Sequence, residues 1–406
     1  MPEWLRWLLG GVGIIVLIQL VLVLALVVHS RWRYRRPLQA KFVFIKPLAV
    51  MVEDTEVQLY ANGRQLFADM LVAIEEAEKT IYFESFLWYD DDFGDKFKEA
   101  LLARAEAGVE VHIIYDWLGN LTRSRRFKWF PDKVKVLPFR SWRYPWHFLS
   151  PRHYSIDHRK LLVVDNRVGF VGGYNIGRPF QASWRDTHVR LTGPIAQDLG
   201  YGFADFWNEH HDKKVPMKPP PRHWSPTIRV HRNDPFRLSY PIRTIYLEAI
   251  EHAQKSIYIT NAYFVPDAAF REGLMKAARR GVDVRILLPW QGNHVLVDWL
   301  ARHYFMDYLA AGIRIFGYQG VMIHAKTATI DGVWSMVGTA NIDRLSMWGN
   351  YEINVELFSE GVAAQMEEFF VHDVTNAWEI TAEVWMEREW YVRLSEWVLA
   401  PLWPWV

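Results

Sequence analysis

The sequence contains no cysteine in its 406 residues, so disulfide scaffolds, thiolate metal sites and a cysteine nucleophile are excluded. It also lacks an excess of charge of either sign, because 47 lysines and arginines balance 46 aspartates and glutamates and leave a formal net charge of +1. Nucleic-acid-binding proteins usually carry a basic excess, and we therefore expect no nucleic-acid partner. The composition is otherwise ordinary, with 50% hydrophobic and 23% charged residues, which excludes a disordered or collagen-like chain.

A long apolar run near the N-terminus extends from Leu8 to Val28 and is interrupted by one polar residue, Gln19. About 20 apolar residues are enough for a helix to cross a bilayer. A signal peptide would carry its basic residues before the run and a small-residue cleavage site after it, whereas here the basic segment SRWRYRR follows the run. A buried core helix is the other alternative, but cores rarely use so long an uncharged stretch at a terminus. We therefore predict that residues 1–36 form a single membrane anchor and that the rest of the chain is cytoplasmic.

The rest of the sequence contains an internal repeat. Residues 79–120 and 255–293 each show a short β-rich run, a segment with apolar residues at helical spacing, a glycine and a second β-rich run. Strand–helix–strand units of this length predict α/β lobes with parallel strands covered by helices, and the duplication predicts a two-fold-like pairing of the lobes. The predicted segments after the anchor are a first lobe at 50–211, a proline-rich linker at 212–226, a second lobe at 227–375 and a tryptophan-rich amphipathic segment at 376–406.

The repeat extends to polar residues that carry chemistry. Both halves contain the pattern H-x-K-x4-D-x6-G-[GT]-x-N, and each histidine precedes a carboxylate by 28 positions. A single copy would mean little, because short motifs recur by chance, whereas two copies in register are a specific signal. The residues are His158, Lys160, Asp165, Asn175 and Asp186 in the first half, and His324, Lys326, Asp331, Asn341 and Glu352 in the second.

The spacing of histidine and lysine indicates an anionic ligand. Residues two apart lie on the same face of a strand, so each half presents an imidazole and an ammonium group together. Lysine is not a normal metal ligand and its charge would repel a divalent cation, so we expect neither a metal nor another cofactor. Asp165 and Asp331 are counted with the catalytic residues, but each ends an apolar strand, and a structural role in a turn or a buried pair is the favoured interpretation.

Two such sets facing each other can transfer a phosphodiester. One imidazole can attack phosphorus while the other, protonated, gives its proton to the leaving alcohol. Asp186 and Glu352 are the candidates for carboxylates that bind the far ring nitrogens and fix the tautomers. The four phosphate-binding candidates are Lys160, Lys326, Asn175 and Asn341.

The motifs resemble those of the phospholipase D superfamily, and more narrowly those of bacterial cardiolipin synthases of that type. The segments that carry the resemblance are DHRKLLVVDNRVGFVGGYNIG, WRDTHVRLTGP, AYFVPD and VMIHAKTATIDGVWSMVGTANIDRLSMWGNYEIN. The resemblance implies two similar α/β lobes, each with a central mixed sheet flanked by helices, related by pseudo-two-fold symmetry and sharing one active site. It implies no cofactor.

The resemblance also implies a reaction. A phosphatidyl group would pass from one phosphatidylglycerol to another through a phosphohistidine, with His158 as the preferred nucleophile, and glycerol would leave. Hydrolysis by the same site, with water as the acceptor, remains the alternative, and a lipid-binding scaffold without activity is a further one. The expected partners are anionic phospholipid substrates, the cardiolipin product and the membrane, and the expected location is the bacterial inner membrane.

Two departures from the family pattern and one ambiguity accompany this expectation. Many relatives carry two N-terminal membrane helices where one is visible here, and Gly338-Thr339 stands where Gly-Ser is common. From Trp378 onward the chain contains six tryptophans mixed with charged residues, which suits a helix at a membrane interface. The same pattern suits a helix that packs back onto the catalytic body, and both interpretations stay open. Oligomeric state is not addressed by the sequence.

Overall fold

The computed structural model describes residues 2–34, 45–142, 154–211 and 216–401. The chain begins with the long helix α1 (Glu3–Tyr34), and two α/β lobes follow. Arg35 and Arg36 of the predicted anchor, residues 212–215 of the predicted linker, and Trp403 and Trp405 lie outside the described residues.

The first lobe is built on a mixed sheet of eight strands. Its order is β1-β2-β9-β7-β6-β3-β4-β5, in which β3, β4 and β5 are parallel and the other neighbours are antiparallel. The elements are β1 (Ala49–Val52), β2 (Thr55–Tyr60), α2 (Gly63–Glu75), β3 (Thr80–Ser85), α3 (Asp92–Glu106), β4 (Glu110–Asp116), α4 (Arg125–Lys128), β5 (Val134–Phe139), β6 (Leu161–Val164), β7 (Val168–Gly172), α5 (Arg178–Ala182), β8 (Trp184–Arg185), β9 (His188–Thr192) and α6 (Ala196–His210).

The second lobe repeats this arrangement. Its sheet order is β10-β17-β16-β15-β11-β12-β13-β18, so seven strands correspond one to one with those of the first sheet. The elements are β10 (Ile228–Asn233), α7 (Pro241–His252), β11 (Ser256–Asn261), α8 (Ala268–Arg279), β12 (Asp283–Pro289), α9 (Val295–Arg302), α10 (Phe305–Ala310), β13 (Arg314–Tyr318), β14 (Met322–Ile323), β15 (Lys326–Ile330), β16 (Trp334–Gly338), α11 (Arg344–Trp348), β17 (Glu352–Phe358), α12 (Glu360–Val374), β18 (Ala377–Ile380), α13 (Ala382–Met386) and α14 (Trp390–Leu399). The predicted fold class, two α/β lobes with mixed sheets and flanking helices, is confirmed.

The two lobes share an apolar core. Val171 and Val189 of the first sheet belong to the same buried cluster as Val337 and Val355 of the second. A short parallel pairing of β8 with β14 adds backbone hydrogen bonds between the lobes. The two motif histidines stand just before β6 and β15. Both lie at this seam, because their backbones hydrogen-bond to the other lobe.

The repeat is marked by equivalent local signals. Asp91 and Asp267 cap α3 and α8 by accepting hydrogen bonds from backbone N–H groups of the first turn. Both helices end before a glycine in the left-handed region, Gly108 with φ 95° and Gly281 with φ 94°, where a side chain would be strained. The chain then enters β4 or β12, as the strand–helix–strand pattern predicts.

Among the described residues, one helix is long and apolar enough to cross a membrane, over Glu3–Val28 within α1. Its most apolar part has a mean hydropathy of 3.1 and is not buried, which is compatible with membrane anchoring. Towards its C-terminal end α1 contacts α9 and α14. The tryptophans of the C-terminal segment divide between the two interpretations, because Trp385 is fully buried against Phe305 whereas Trp390 and Trp397 are exposed.

Candidate active site

Two histidines lie at the seam between the lobes, one from each motif. His158 precedes β6, and its backbone N–H donates to the carbonyl of Tyr351 in the second lobe (3.1 Å). His324 precedes β15, and its N–H donates to the carbonyl of Arg185 in the first lobe (2.6 Å). Each histidine is therefore positioned by the lobe to which it does not belong.

The orienting carboxylates also come from the opposite lobe. Nδ1 of His158 lies 2.9 and 3.1 Å from the two carboxylate oxygens of Glu352, and Nδ1 of His324 lies 2.6 Å from Oδ2 of Asp186. Glu352 directly follows Tyr351 and Asp186 directly follows Arg185, so the backbone bonds described above place each carboxylate next to its partner ring. Since Nδ1 is engaged in both rings, Nε2 is the nitrogen left to react.

The two carboxylates are held differently. Oδ1 of Asp186 accepts a hydrogen bond from the backbone of Thr187 (2.7 Å), and its carboxylate occupies the space beside Gly173, where a Cβ would lie 2.2 Å from Oδ1. In the second lobe the equivalent position is Thr339, whose hydroxyl donates to Oε2 of Glu352 (2.5 Å). Thus the Gly-Thr departure from the common Gly-Ser keeps a hydroxyl donor on the carboxylate.

Both motif lysines are buried at the same seam, Lys160 with 2% and Lys326 with 0% of its surface exposed. Each ammonium group donates to the carbonyl oxygen of its own histidine, His158 or His324. Burial lowers the pKa of Lys160 to about 7 and that of Lys326 to about 8, and in Lys160 the charge of Lys326 contributes further. Two buried cations this close together create a site that an anion stabilises.

Each motif asparagine follows the lysine of its own lobe by 15 residues. Oδ1 of Asn175 accepts from the backbone N–H of Leu87 (3.0 Å), which leaves its amide hydrogens as donors. Asn341 is 3% exposed, and its Oδ1 is a buried atom without a hydrogen-bond partner within the described part of the chain. The unpaired oxygen is an acceptor, so Asn341 would bind a phosphate oxygen only with its amide turned to present the NH₂ group.

Comparison with known proteins decides the family. The family model described as "Cardiolipin synthase, PLD-like domain" matches residues 246–374. A cardiolipin synthase of Listeria monocytogenes is 30% identical over 375 residues, which cover 86% of this chain and 75% of the relative. The major cardiolipin synthase of Bacillus subtilis shows the same identity and the same coverage. The chain belongs to the cardiolipin synthase family.

A solved structure confirms the fold of this cardiolipin synthase family member. The phosphatidylserine synthase of Haemophilus influenzae superposes with a TM-score of 0.66, covering 93% of this chain and 97% of that chain, at 13% sequence identity. At that identity the similarity concerns the fold alone. The family model and the relatives confirm the predicted resemblance to the phospholipase D superfamily and to its cardiolipin synthases.

Burial shapes the charge states of the site in this family member. It lowers the pKa of both His158 and His324, and the lysine charges around them act in the same direction. Burial raises the pKa of Asp186 to about 6 and that of Glu352 to about 8. Each imidazole–carboxylate pair therefore holds its shared proton in a low-polarity environment, where a bound phosphate charge would favour the imidazolium form.

The structure does not bring Asp165 and Asp331 to the site. Asp165 follows the far end of β6 and accepts hydrogen bonds from the backbone N–H groups of Glu78, Lys79 and Thr80 at 2.7–2.8 Å. Asp331 holds residues 254–256 in the same way at 2.7–3.0 Å. These bonds favour the structural role in a turn over a direct catalytic role for both aspartates.

Sequence reasoning missed the aromatic side chains that surround the imidazoles. The ring of Phe86 packs edge-on against His158 with 5.0 Å between centroids. The rings of Trp184 and Tyr263 pack against His324 at 4.9 and 5.9 Å. The available signal was position, since Phe86 directly follows β3, Tyr263 is the second residue after β11, and Trp184 stands two residues before Asp186.

Proposed function

We propose that this protein is a membrane-bound phosphatidyltransferase that makes cardiolipin from two molecules of phosphatidylglycerol and releases glycerol. The observation that carries the proposal is the crossed pair of histidine–carboxylate couples, His158–Glu352 and His324–Asp186, at one seam of a cardiolipin synthase family member. One site then contains two reactive imidazoles and two buried lysines.

The first half-reaction forms a phosphatidyl-histidine. Nε2 of one histidine attacks the phosphorus of phosphatidylglycerol, and the bond between phosphorus and the glycerol oxygen breaks. The other histidine, protonated, gives its proton to that oxygen, and glycerol leaves as a neutral alcohol. His158 is the nucleophile and His324 the acid in this proposal, with Asp186 stabilising the positive charge on the acid.

The second half-reaction uses a second phosphatidylglycerol. Its free glycerol hydroxyl loses a proton to His324 and attacks the phosphorus, and the bond between phosphorus and His158 breaks. Two phosphodiesters enter and two leave in cardiolipin, so the exchange needs no external source of energy. Lys160, Lys326, Asn175 and Asn341 surround the phosphate oxygens and stabilise the charge that they develop.

The N-terminal helix supports the location that we propose. α1 carries the apolar span Glu3–Val28, and the arginines follow it in the sequence. Cytoplasmic flanks of membrane helices are enriched in such residues, so the catalytic lobes lie on the cytoplasmic side of a bacterial inner membrane. The substrates are then lipids of the same leaflet.

The reaction is tested with purified full-length protein and vesicles that contain phosphatidylglycerol. We expect cardiolipin and free glycerol in equal amounts, resolved by mass spectrometry. Phosphatidic acid with glycerol would assign water as the acceptor and replace the transferase with a hydrolase. His158→Ala and His324→Ala should each abolish turnover, whereas His252→Ala, on the exposed surface of α7, should not.

The covalent intermediate requires a separate measurement. Acid-labile, base-stable phosphatidyl adducts trapped by rapid quenching should map to the peptide that contains His158. An adduct on His324 would exchange the roles of the two histidines, and the absence of any adduct during rapid turnover would contradict the two-step route.

A further inference from the structure

The C-terminal helix α14 packs against the apolar N-terminal helix α1 and is hydrogen-bonded to it. Gln19, the one polar residue in the apolar run of α1, donates a hydrogen bond from Nε2 to the backbone carbonyl of Val398 (3.0 Å). Carbonyls in the last turn of a helix lack partners within that helix, so the amide caps α14 from outside. The contact continues along α1 as a half-buried stripe at helical spacing, formed by Gln19, Leu22, Val23, Leu26 and Val27.

This bond fixes the depth of α14 if α1 crosses the bilayer. At about 1.5 Å per residue, Gln19 lies roughly 14 Å along the helix from Val28, where the apolar span ends. The hydrocarbon core is about 30 Å thick, so the bond between Gln19 and Val398 lies inside the core when the run from Leu8 to Val28 fills it. The end of α14 is then among the acyl chains, and the stripe from Gln19 to Val27 leads back towards the headgroups.

The outward face of α14 is unlike that of a helix on a water-soluble surface. Its inner face combines the fully buried Leu399 with two polar residues, Glu396, which is paired with Arg388, and Ser395, whose hydroxyl accepts from the indole of Trp299 in α9 (2.9 Å). Its outer face, apart from Arg393, consists of large apolar and aromatic side chains. They are Trp390, Tyr391, Leu394 and Trp397, with 67%, 57%, 49% and 69% of their surfaces exposed.

A bilayer interface is the environment that fits this face. Tryptophan and tyrosine are enriched where one part of the ring meets acyl chains and the other meets water. Arg393 is also exposed on α14, and a cation there suits anionic phosphates at headgroup depth rather than the hydrocarbon centre. The face is continuous with the apolar surface of α1, so one lipid layer can cover both.

From α14 the contacts lead to the active site. Trp299 belongs to α9, and α9 begins after His294, whose ring packs against Tyr263 with 5.2 Å between centroids. Tyr263 in turn packs against His324 and donates its hydroxyl hydrogen to Asn293 (2.6 Å). A displacement of α14 would therefore reach the wall of the site through a single intervening helix.

We propose that α14 is an interfacial helix whose Trp390, Leu394 and Trp397 side chains insert among the lipids beside α1. Through α9 this contact holds the His324 side of the active site at the bilayer surface, where phosphatidylglycerol can enter without leaving its leaflet. The inference rests on the proposed membrane-bound transferase, and it identifies the surface through which that enzyme contacts the lipid bilayer.

The insertion can be measured with site-specific labels, because the chain contains no cysteine. Leu394→Cys and Val72→Cys form a matched pair, since the native side chains are 49% and 48% exposed and Val72 lies in α2 of the first lobe. Each full-length variant is labelled with an environment-sensitive fluorophore and reconstituted into vesicles that contain phosphatidylglycerol. We expect the emission at position 394 to shift to the blue and to be quenched by lipids brominated in their acyl chains, whereas the label at position 72 is quenched by aqueous iodide.

Two results would overturn the inference. One is a label at position 394 that iodide quenches as strongly as the label at position 72. The other is protection at position 394 that disappears when the vesicles hold no more than one chain each, because a second copy would then be the cover rather than lipid.

Turnover provides an independent measurement. The variant Trp390→Ser/Leu394→Ser/Trp397→Ser should lose turnover of phosphatidylglycerol in vesicles and retain that of a short-chain phosphatidylglycerol dispersed as monomers. Equal losses on both substrates would contradict a role at the bilayer. If the wild type converts neither substrate, the proposed transferase activity fails, and the label depth still decides whether α14 inserts.

Discussion

At the scale of single residues, the two histidine–carboxylate couples are alike in geometry and unlike in charge. Burial raises the pKa of Glu352 to about 8, but that of Asp186 only to about 6. These values predict that at neutral pH the carboxyl of Glu352 holds a proton more often than that of Asp186. We propose that this difference gives the couples different tasks, in which an ionised Asp186 stabilises an imidazolium on His324 and a neutral Glu352 leaves His158 uncharged.

Neutral isosteric substitutions should reveal this difference. Asp186→Asn removes the charge that stabilises protonated His324, so we expect kcat to fall by roughly 10²–10⁴-fold, the range attributed to general acid–base groups. Glu352→Gln preserves a neutral group beside His158, and we expect a loss within about tenfold, equivalent to one neutral hydrogen bond. Steady-state kcat with phosphatidylglycerol measures both, and equal or reversed losses would contradict the assignment.

The same two groups predict a bell-shaped pH profile. Below about pH 6 Asp186 becomes neutral, so turnover should fall on the acid side. Above about pH 8 Glu352 loses its proton, and Lys160, with its pKa lowered to about 7 by burial, is already losing its charge, so turnover should fall on the alkaline side. If turnover of the variant Glu352→Gln still falls on the alkaline side, we assign that fall to the loss of charge on the lysines. A profile that is flat from pH 5 to 9 would remove both groups from the chemistry.

At the scale of elements, the sequence predicts which side chains lie close together along one extended segment. It does not predict which contacts form between segments far apart in the chain. His158 and Lys160 are close together, as period 2 predicts for extended backbone, although both precede β6. The spacing of 28 positions is the same in both halves, however, so it contains no information on whether Glu352 serves His158 or His324. The crossing depends on the strand pairing at the seam, which periodicity does not encode.

The ends of β6 and β15 show the opposite case, in which a motif residue proves structural. Asp165 (φ 52°) and Asp331 (φ 56°) both adopt the left-handed conformation and accept three backbone hydrogen bonds from the start of the neighbouring strand. The apolar strand before each aspartate was the signal for this role. The chemical motif and the turn motif thus overlap in one stretch of sequence.

Substitution separates the two roles of the motif. Asp165→Ala leaves three backbone N–H groups without their acceptor, but water can reach those of Glu78 and Lys79, so we expect the free energy of unfolding to fall by about 1–3 kcal/mol. At a temperature where the variant remains folded, kcat should stay close to that of the wild type. Chemical unfolding and turnover are measured together, with the exposed Asp132→Ala as the control. A large loss of kcat without loss of stability would restore Asp165 to the catalytic residues.

At the scale of the whole molecule, duplication predicts two lobes but not their dependence on each other. Neither lobe contains a complete site, because Asp186 serves His324 and Glu352 serves His158. The buried cluster that joins Val189 to Val355 also means that each lobe alone would expose apolar surface. The arrangement of α1 with α14 lay equally beyond sequence reasoning, since it depends on contacts between residues far apart in the chain, among them the bond between residues 19 and 398.

This dependence predicts how a divided chain behaves. Residues 216–225 form neither helix nor strand, so a break after Lys218 interrupts no element and keeps Met217 with its partner Asn208. Each fragment produced alone should convert no phosphatidylglycerol, because each has one histidine and the wrong carboxylate. When the fragments are produced together, the shared apolar core should reunite them, and turnover should return with co-purification of the two pieces. Activity in the second fragment by itself would contradict this prediction, because it would show that His324 does not need Asp186 of the first lobe.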